Sequence, residues 1–403
     1  MRSHFLFMAA GSLFLLAGCS ETPVPFEPQL VDVPAGVPAT GPRISGDETT
    51  GIVLSWMEQD EDGASLHYAK LEDGVWSDAN VVVDGVDMFV NWADMPSVQP
   101  MGAGRLAAHW LQMSADMTYA YDVVFAQSAD DGQTWSEPVR PHSDGTETEH
   151  GFVSMFSDGA RTGLIWLDGR KMVNEVTDDP VASGMTLRAA FVDENLDVEQ
   201  DQLVDELICD CCQTDIAVAS SGPVAVYRDR STKEIRDIYV TRHIDGQWMT
   251  GKPVASDNWE IPGCPVNGPS IVADGDFVAV AWFTGSGGRP VVKLSVSNDN
   301  GETFGEPLEV ADGSVLGRVG LVHLGRGAVA VSWLQSGADG SHDVAVRKIE
   351  AGAAGSVHTV AHNAGSFSVP QIALAGEDLI FVWTETEEFE NSVHSARVAA
   401  KAL

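Results

Sequence analysis

A chain of 403 residues with 59 Asp and Glu against 23 Lys and Arg carries a formal charge of −36 at neutral pH. Such an excess of one sign repels nucleic acid and anionic lipid head groups, so neither is expected as a partner. The length would allow two or three ordinary domains, and five cysteines are available for any disulfide or metal framework.

The chain begins "MRSHFLFMAAGSLFLLAGCS". One Arg precedes an apolar run, Phe5 to Ala17, that is shorter than a mature membrane span. This is the layout of an export signal. The closing "LAGC", Leu16 to Cys19, resembles the lipobox of bacterial lipoproteins. The resemblance implies a signal peptide over residues 1–18, an acylated Cys19, and a mature chain held to the membrane by its N-terminal lipid. Ser20 in place of Asp after the cysteine implies outer-membrane sorting in a Gram-negative host, with the body facing the periplasm or the cell surface. Residues 19–42 hold six prolines and read as an extended tether, although "EPQLVDV" (Glu27 to Val33) could serve as a strand.

From there one phrase recurs, an apolar alternating strand ending in an aromatic residue. It places Trp56, Trp110, Trp166, Tyr227, Trp282, Trp333 and Trp383 at intervals of 54, 56, 61, 55, 51 and 50 residues. A period near 50 built from short strands predicts an all-β chain, a β-propeller of four-stranded antiparallel blades over residues 43–403. The count is seven. The last repeat supplies three strands, and Glu27 to Val33 could supply the fourth and close the ring.

Two repeats carry a further signature. Ser128, Asp130, Gly132, Thr134 and Trp135 fit S-x-D-x-G-x-T-W, and Ser297, Asp299, Gly301 and Thr303 fit it with Phe304 in last place. In such a hairpin Asp oxygens accept turn N–H groups, Gly takes the positive φ, and the aromatic packs beneath. These turns resemble the Asp-box, or neuraminidase repeat, and with the repeat length they make nearly the whole mature chain similar to the sialidase superfamily. That resemblance implies structural roles for Asp130, Gly132, Trp135, Asp299 and Gly301. It also brings a six-bladed ring as the alternative to seven.

Catalytic sialidases grip a substrate carboxylate with three arginines and use a Glu-activated Tyr nucleophile and an Asp acid/base. Their opening F-R-I-P motif has its nearest strings here in "GPRISG" around Arg43 and in "FSVP", where Ser368 holds the arginine position. Arg43, Arg228 and Arg318 with Tyr227 are the catalytic candidates, but no spacing compels them. The sequence therefore favours a binding protein, with an exo-acting glycoside hydrolase of the sialidase type as the rival.

Register within the repeats singles out one rim. Cys209 and Cys264 each lie 18 residues before the aromatic of their own repeat. Asp94, His150 and Cys211 lie 16 before it, and Cys212, Asn267, Arg318 and Ser368 lie 15 before it. All precede an innermost strand, so they gather at one mouth of the central channel. Asp94, Glu149, His150, Asn267 and Arg318 are the binding candidates there. The sulfurs admit three readings: disulfide staples, a soft-metal site for Cu(I) or Zn, or a redox pair. Adjacent Cys211 and Cys212 are too close in the chain for a relaxed disulfide with each other. The ligand expected at this mouth is a glycan, a metal or a protein partner. The strings "WLDGR" and "YRDR" put Asp168, Arg170, Asp229 and Arg230 near strand ends, where an ion network between blades is expected.

Overall fold

The computed structural model of the protein describes residues 24–173, 179–199 and 201–403. The signal peptide and the acylated Cys19 expected from the sequence lie outside them. The described residues form seven antiparallel sheets, the blades of a seven-bladed β-propeller, and the six-bladed alternative falls. The innermost strands are Ala39–Asp47, Ser97–Gly102, His150–Asp158, Asp215–Ala219, Ser270–Asp274, Val315–Gly325 and Gln371–Ala375, here blades one to seven. Blade two is the sparest. Its outer edge is a single two-way pairing of Phe125 with Val139.

The recurrent aromatics all lie in second strands, and the reason is chemical. Each large ring is buried between blades, where an unpaired indole N–H would cost about 1–3 kcal/mol. Residues two apart share a face of a strand. Trp56 therefore donates Nε1–H to Glu58 Oε1 (2.8 Å), Trp166 to Asp168 Oδ2 (2.9 Å), Trp333 to Gln335 Oε1 (2.9 Å) and Trp383 to Glu385 Oε1 (2.9 Å). Trp282 has Thr284 at that position and donates instead to Asp257 Oδ2 at 2.7 Å. Among the described residues seven buried apolar clusters form, one at each junction between neighbouring blades. The core is thus a ring of interfaces.

The ring starts earlier in the chain than Arg43. Ala39–Asp47 is already the inner strand of blade one, because its apolar face packs against the last blade. Gln29–Val31 pairs antiparallel with Glu390–Ala399, Gln29 opposite Arg397, and so supplies the outer strand of blade seven. Much of the proline-rich stretch read as tether is therefore built into the propeller.

The two S-x-D-x-G-x-T turns have one geometry. Asp130 accepts from Thr134 N (2.9 Å) and Thr134 Oγ1 (2.7 Å), while Ser128 Oγ accepts from Gly132 N (2.9 Å). Asp299, Thr303, Ser297 and Gly301 repeat that set. Gly132 has φ +88° and sits so close to blade one that an added Cβ would lie 1.9 Å from Tyr68 Oη. Trp135 meets the same Tyr68 edge-on at 6.0 Å, so this turn also locks two blades together.

Candidate functional site

The starts of the innermost strands ring one mouth of the channel, and a loop from blade two roofs it. The Trp92 ring lies 5.1 Å from Phe367 of blade seven and beneath the Arg318 guanidinium of blade six. Ala93 O accepts from Gln213 Nε2 ahead of blade four (2.8 Å), and Asp94 Oδ1 accepts the Phe152 N–H of blade three (2.7 Å). Contacts with blades so far apart in the ring require a segment lying across its centre. Beneath it a cavity of about 770 Å³ runs down the channel, lined by residues of all seven inner strands, with Arg43, Asp215 and Arg318 among them.

The catalytic candidates separate in this setting. Arg43 and Arg318 line the cavity below the roof, and Arg228 does not. Arg228 is buried and spends its guanidinium on three carbonyls: Asn267 (3.0 and 2.8 Å), Arg236 (2.7 Å) and Phe283 (2.8 Å). It also stacks over Trp259, and so ties blade four to blade five. Tyr227 is buried too and donates to Asp205 Oδ2 at 2.6 Å. The three arginines share no cavity.

A tyrosine that the sequence did not single out stands between two carboxyls. Tyr121 Oη lies 2.9 Å from both Asp94 Oδ2 and Glu149 Oε1. One phenolic proton can serve only one of them, so the other carboxyl carries a proton of its own. Burial pushes Asp94 up to about 7 despite its bonds to Phe152 and Tyr121. Burial and the Asp94 charge push Glu149 to about 8. Tyr121 is fully buried under Phe89, stacked at 4.2 Å, which keeps it from an incoming sugar.

Other rim candidates are committed to the scaffold. Asn267 Oδ1 accepts the Arg318 N–H (2.6 Å), and Ser368 Oγ accepts the Thr384 N–H (3.0 Å). His150 Nδ1 faces the carbonyls of Thr148 (3.0 Å) and Tyr121 (3.2 Å), and its Nε2 faces Asp144 Oδ2 (3.2 Å). Both ring nitrogens thus serve as donors. Burial disfavours the imidazolium, but the Asp144 bond and the charges of Asp168, Asp144 and Asp122 outweigh it and raise its pKa. His142 stacks on His150 at 4.0 Å with ring planes 3° apart. Parallel stacked rings cannot aim in-plane lone pairs at one ion, so His142 and His150 are not ligands of one ion, and the cluster's carboxylates are tied by ion pairs to His150 and Arg170. Arg170 completes it, bonded to Asp168 (2.6 Å) and Asp201 (2.8 Å). Arg230 belongs to a separate network with Asp210 and Glu234, so the expected ion pairs fall into two groups.

The sulfurs are different. Cys209, Cys211, Cys212 and Cys264 are free thiols, and the chain brings all four together. Cys209 Sγ lies 3.0 Å from Cys212 Sγ and 3.9 Å from Cys211 Sγ, and the Cys264 thiol of the next blade stands near enough to Cys211 for each to perturb the other. Cys209 is held in place by its N–H to Arg228 O (3.0 Å). Its Sγ also accepts from Arg236 Nη1 at 3.4 Å. Burial alone would raise this thiol, but bonds from Cys211 and Cys212 and the charges of Arg228 and Arg236 hold it well below the ordinary value. Arg236 is itself fixed by Glu234 Oε2 (2.9 Å), which Arg230 grips from the other side (2.7 Å). Cys209 and Cys212 are buried, Cys211 is half-buried, and Cys264 is exposed. Three sulfurs within 4.8 Å of one another, one of them in contact with the Arg236 guanidinium, form a donor set for a soft d¹⁰ ion.

Among solved structures the Hadza microbial sialidase Hz136 superposes with a TM-score of 0.50 at 14% identity, over 86% of this chain and 75% of its own. The fold is sialidase-like. The NanB sialidase of Streptococcus pneumoniae aligns at 0.48 and 10% identity over 88% and 84% of the two chains. The phage phi92 endosialidase aligns at 0.49 and 9% over 93% and 69%. At such identities the likeness speaks for architecture alone. No protein-family profile matches the sequence. No curated protein matches it either.

Proposed function

We propose that this protein is an exported, lipid-anchored, sialidase-like propeller that binds a soft metal ion, Cu(I) or Zn(II), at the rim of its channel. The single observation behind this reading is the sulfur cluster: Cys209, Cys211 and Cys212 within bonding reach of one ion, with Cys264 beside them. Thiolates select d¹⁰ ions, and the Arg228 and Arg236 guanidiniums offset the negative charge that several metal-bound thiolates accumulate. The resemblance of Leu16 to Cys19 to a lipobox supports a location in the cell envelope, and the two Asp-box-like turns serve the scaffold. A hydrolase reading loses ground because Arg228 is spent on carbonyls and the roof over the channel covers Arg43.

Native mass spectrometry of the full chain, purified without chelators, tests the proposal. One tightly held Cu or Zn ion is expected, with four cysteines open to alkylation after denaturation beyond any acylated Cys19. Cys209→Ser should remove the ion. A mass showing two disulfides and no metal in the wild type would overturn the reading.

A further inference from the structure

The four sulfurs are not equivalent, and the inequality has a direction. Cys209 and Cys212 are buried at 1% exposure each, Cys211 is intermediate, and Cys264 is open to solvent. The three inner sulfurs come from one short stretch, Cys209 to Cys212, whose backbone is pinned to blade four through Arg228 O. Cys264 comes from the next blade, on "IPGCPVNG", a segment without a strand of its own. Its thiol reaches the cluster at Cys211, the outermost of the three. A graded path therefore runs from solvent through Cys264 and Cys211 to the buried sulfur of Cys209.

Resting on the metal-binding reading, we infer that the ion is Cu(I), and that it enters and leaves through Cys264 by exchange with an outside thiol. Three thiolates satisfy Cu(I), whereas Zn(II) in a structural site takes four ligands in a tetrahedron. The inner trio can hold Cu(I) while the fourth sulfur is released. In the outward direction incoming thiols form Cu–S bonds as the Cu–S bond to Cys264 and then those to the inner sulfurs break, and each incoming thiol's proton passes to the protein sulfur it displaces. The ion stays Cu(I), and no oxidant or reductant is consumed. The acceptor is accordingly a soft donor, a thiol-bearing molecule small or loose enough to reach an exposed loop.

The test compares the full chain with its Cys264→Ser variant, an exposed change that leaves the packed blades alone. Each is loaded with Cu(I) under anaerobic conditions and then challenged with glutathione, with bicinchoninate as the optical reporter of released ion. Both proteins should hold one Cu(I), and release from Cys264→Ser should be at least about tenfold slower. Equal or faster release from the variant would overturn the exchange role of Cys264. A variant that loses Cu(I) altogether would overturn the three-sulfur hold. A wild type that binds neither Cu(I) nor Zn(II) would instead refute the metal-binding reading beneath both. Zn(II) titration separates the ions, since Cys264→Ser removes one of the four ligands Zn(II) needs and should weaken it far more than Cu(I).

Discussion

The junction of blades two and three and the junction of blades four and five offer the same kind of place to polar side chains, and they use it in opposite ways. At the first, buried His150 and Asp168 and half-buried Asp144 and Arg170 answer one another's charges. At the second, Cys209, Cys211, Cys212 and Cys264 find mainly other sulfurs, and the last faces water. The rim register is thus a position and not a role. What separates scaffold from site is whether the protein itself supplies every partner.

Substitutions can break that contrast. His150→Ala should cost about 3 kcal/mol in denaturant unfolding, because it takes from Asp168 and Asp144 one of their two cations and leaves only Arg170, yet leave the proposed ion at the cysteines in place. Loss of the ion in that variant would erase the distinction between the junctions. Asp257→Ala leaves the Trp282 Nε1–H and the Lys293 ammonium without their acceptor and should cost about 1–3 kcal/mol. That would show how far a blade junction depends on one hydrogen-bonded indole.

Acid–base behaviour sharpens the contrast more gently. Asp94 and Glu149 have folded pKa values raised to about 7 and about 8, so the native state holds protons that the unfolded chain releases near pH 4. Their contribution is complete below the unfolded pKa and is lost as pH rises through 7 to 8. The raised pKa of His150 acts in the same sense, its share vanishing as pH climbs through the folded value. Asp168, lowered by Arg170 and His150 against its burial, contributes above the ordinary carboxylate range and fails on acidification. Melting temperature should therefore decline from about pH 5 to pH 8. Glu149→Gln should flatten that decline, and an unchanged slope would discard the shared proton. The smallest effect expected is that of Asp130→Ala, a modest drop in melting temperature from an exposed turn, with Asp299→Ala matching it because the two turns share their bonds.

Much of this was legible in the chain. The spacing of seven aromatic strand ends gave the blade count, since burying each ring and feeding its N–H imposes a pattern on every repeat. The convergence of the sulfurs followed from register, because equivalent positions in neighbouring blades are neighbours in space. What stayed hidden has no period. The roof from Met88 to Met95 is a loop, and its reach to Phe367 and Gln213 depends on a path that no local pattern encodes. Tyr121 opens a third strand, where only the meeting of two distant carboxyls marks it out. Arg228 looked like a ligand grip, but three inward-turned carbonyls claim it, and carbonyls leave no trace in sequence. The W-x-E/Q/D spacing was a signal in plain view that could have placed Asp168 beside its own tryptophan.

The pairing of Gln29–Val31 with Glu390–Ala399 reaches beyond architecture. The last blade borrows its outer strand from the opposite end of the polypeptide, so a chain stopped short of Glu390 leaves the first strand with no partner and the ring unlatched. A pull on residues ahead of Gln29 would reach that latch through Phe26, which is stacked on His358 at 4.4 Å. A three-residue clasp and one stacked ring then stand between a mechanical load and the opening of the whole wheel.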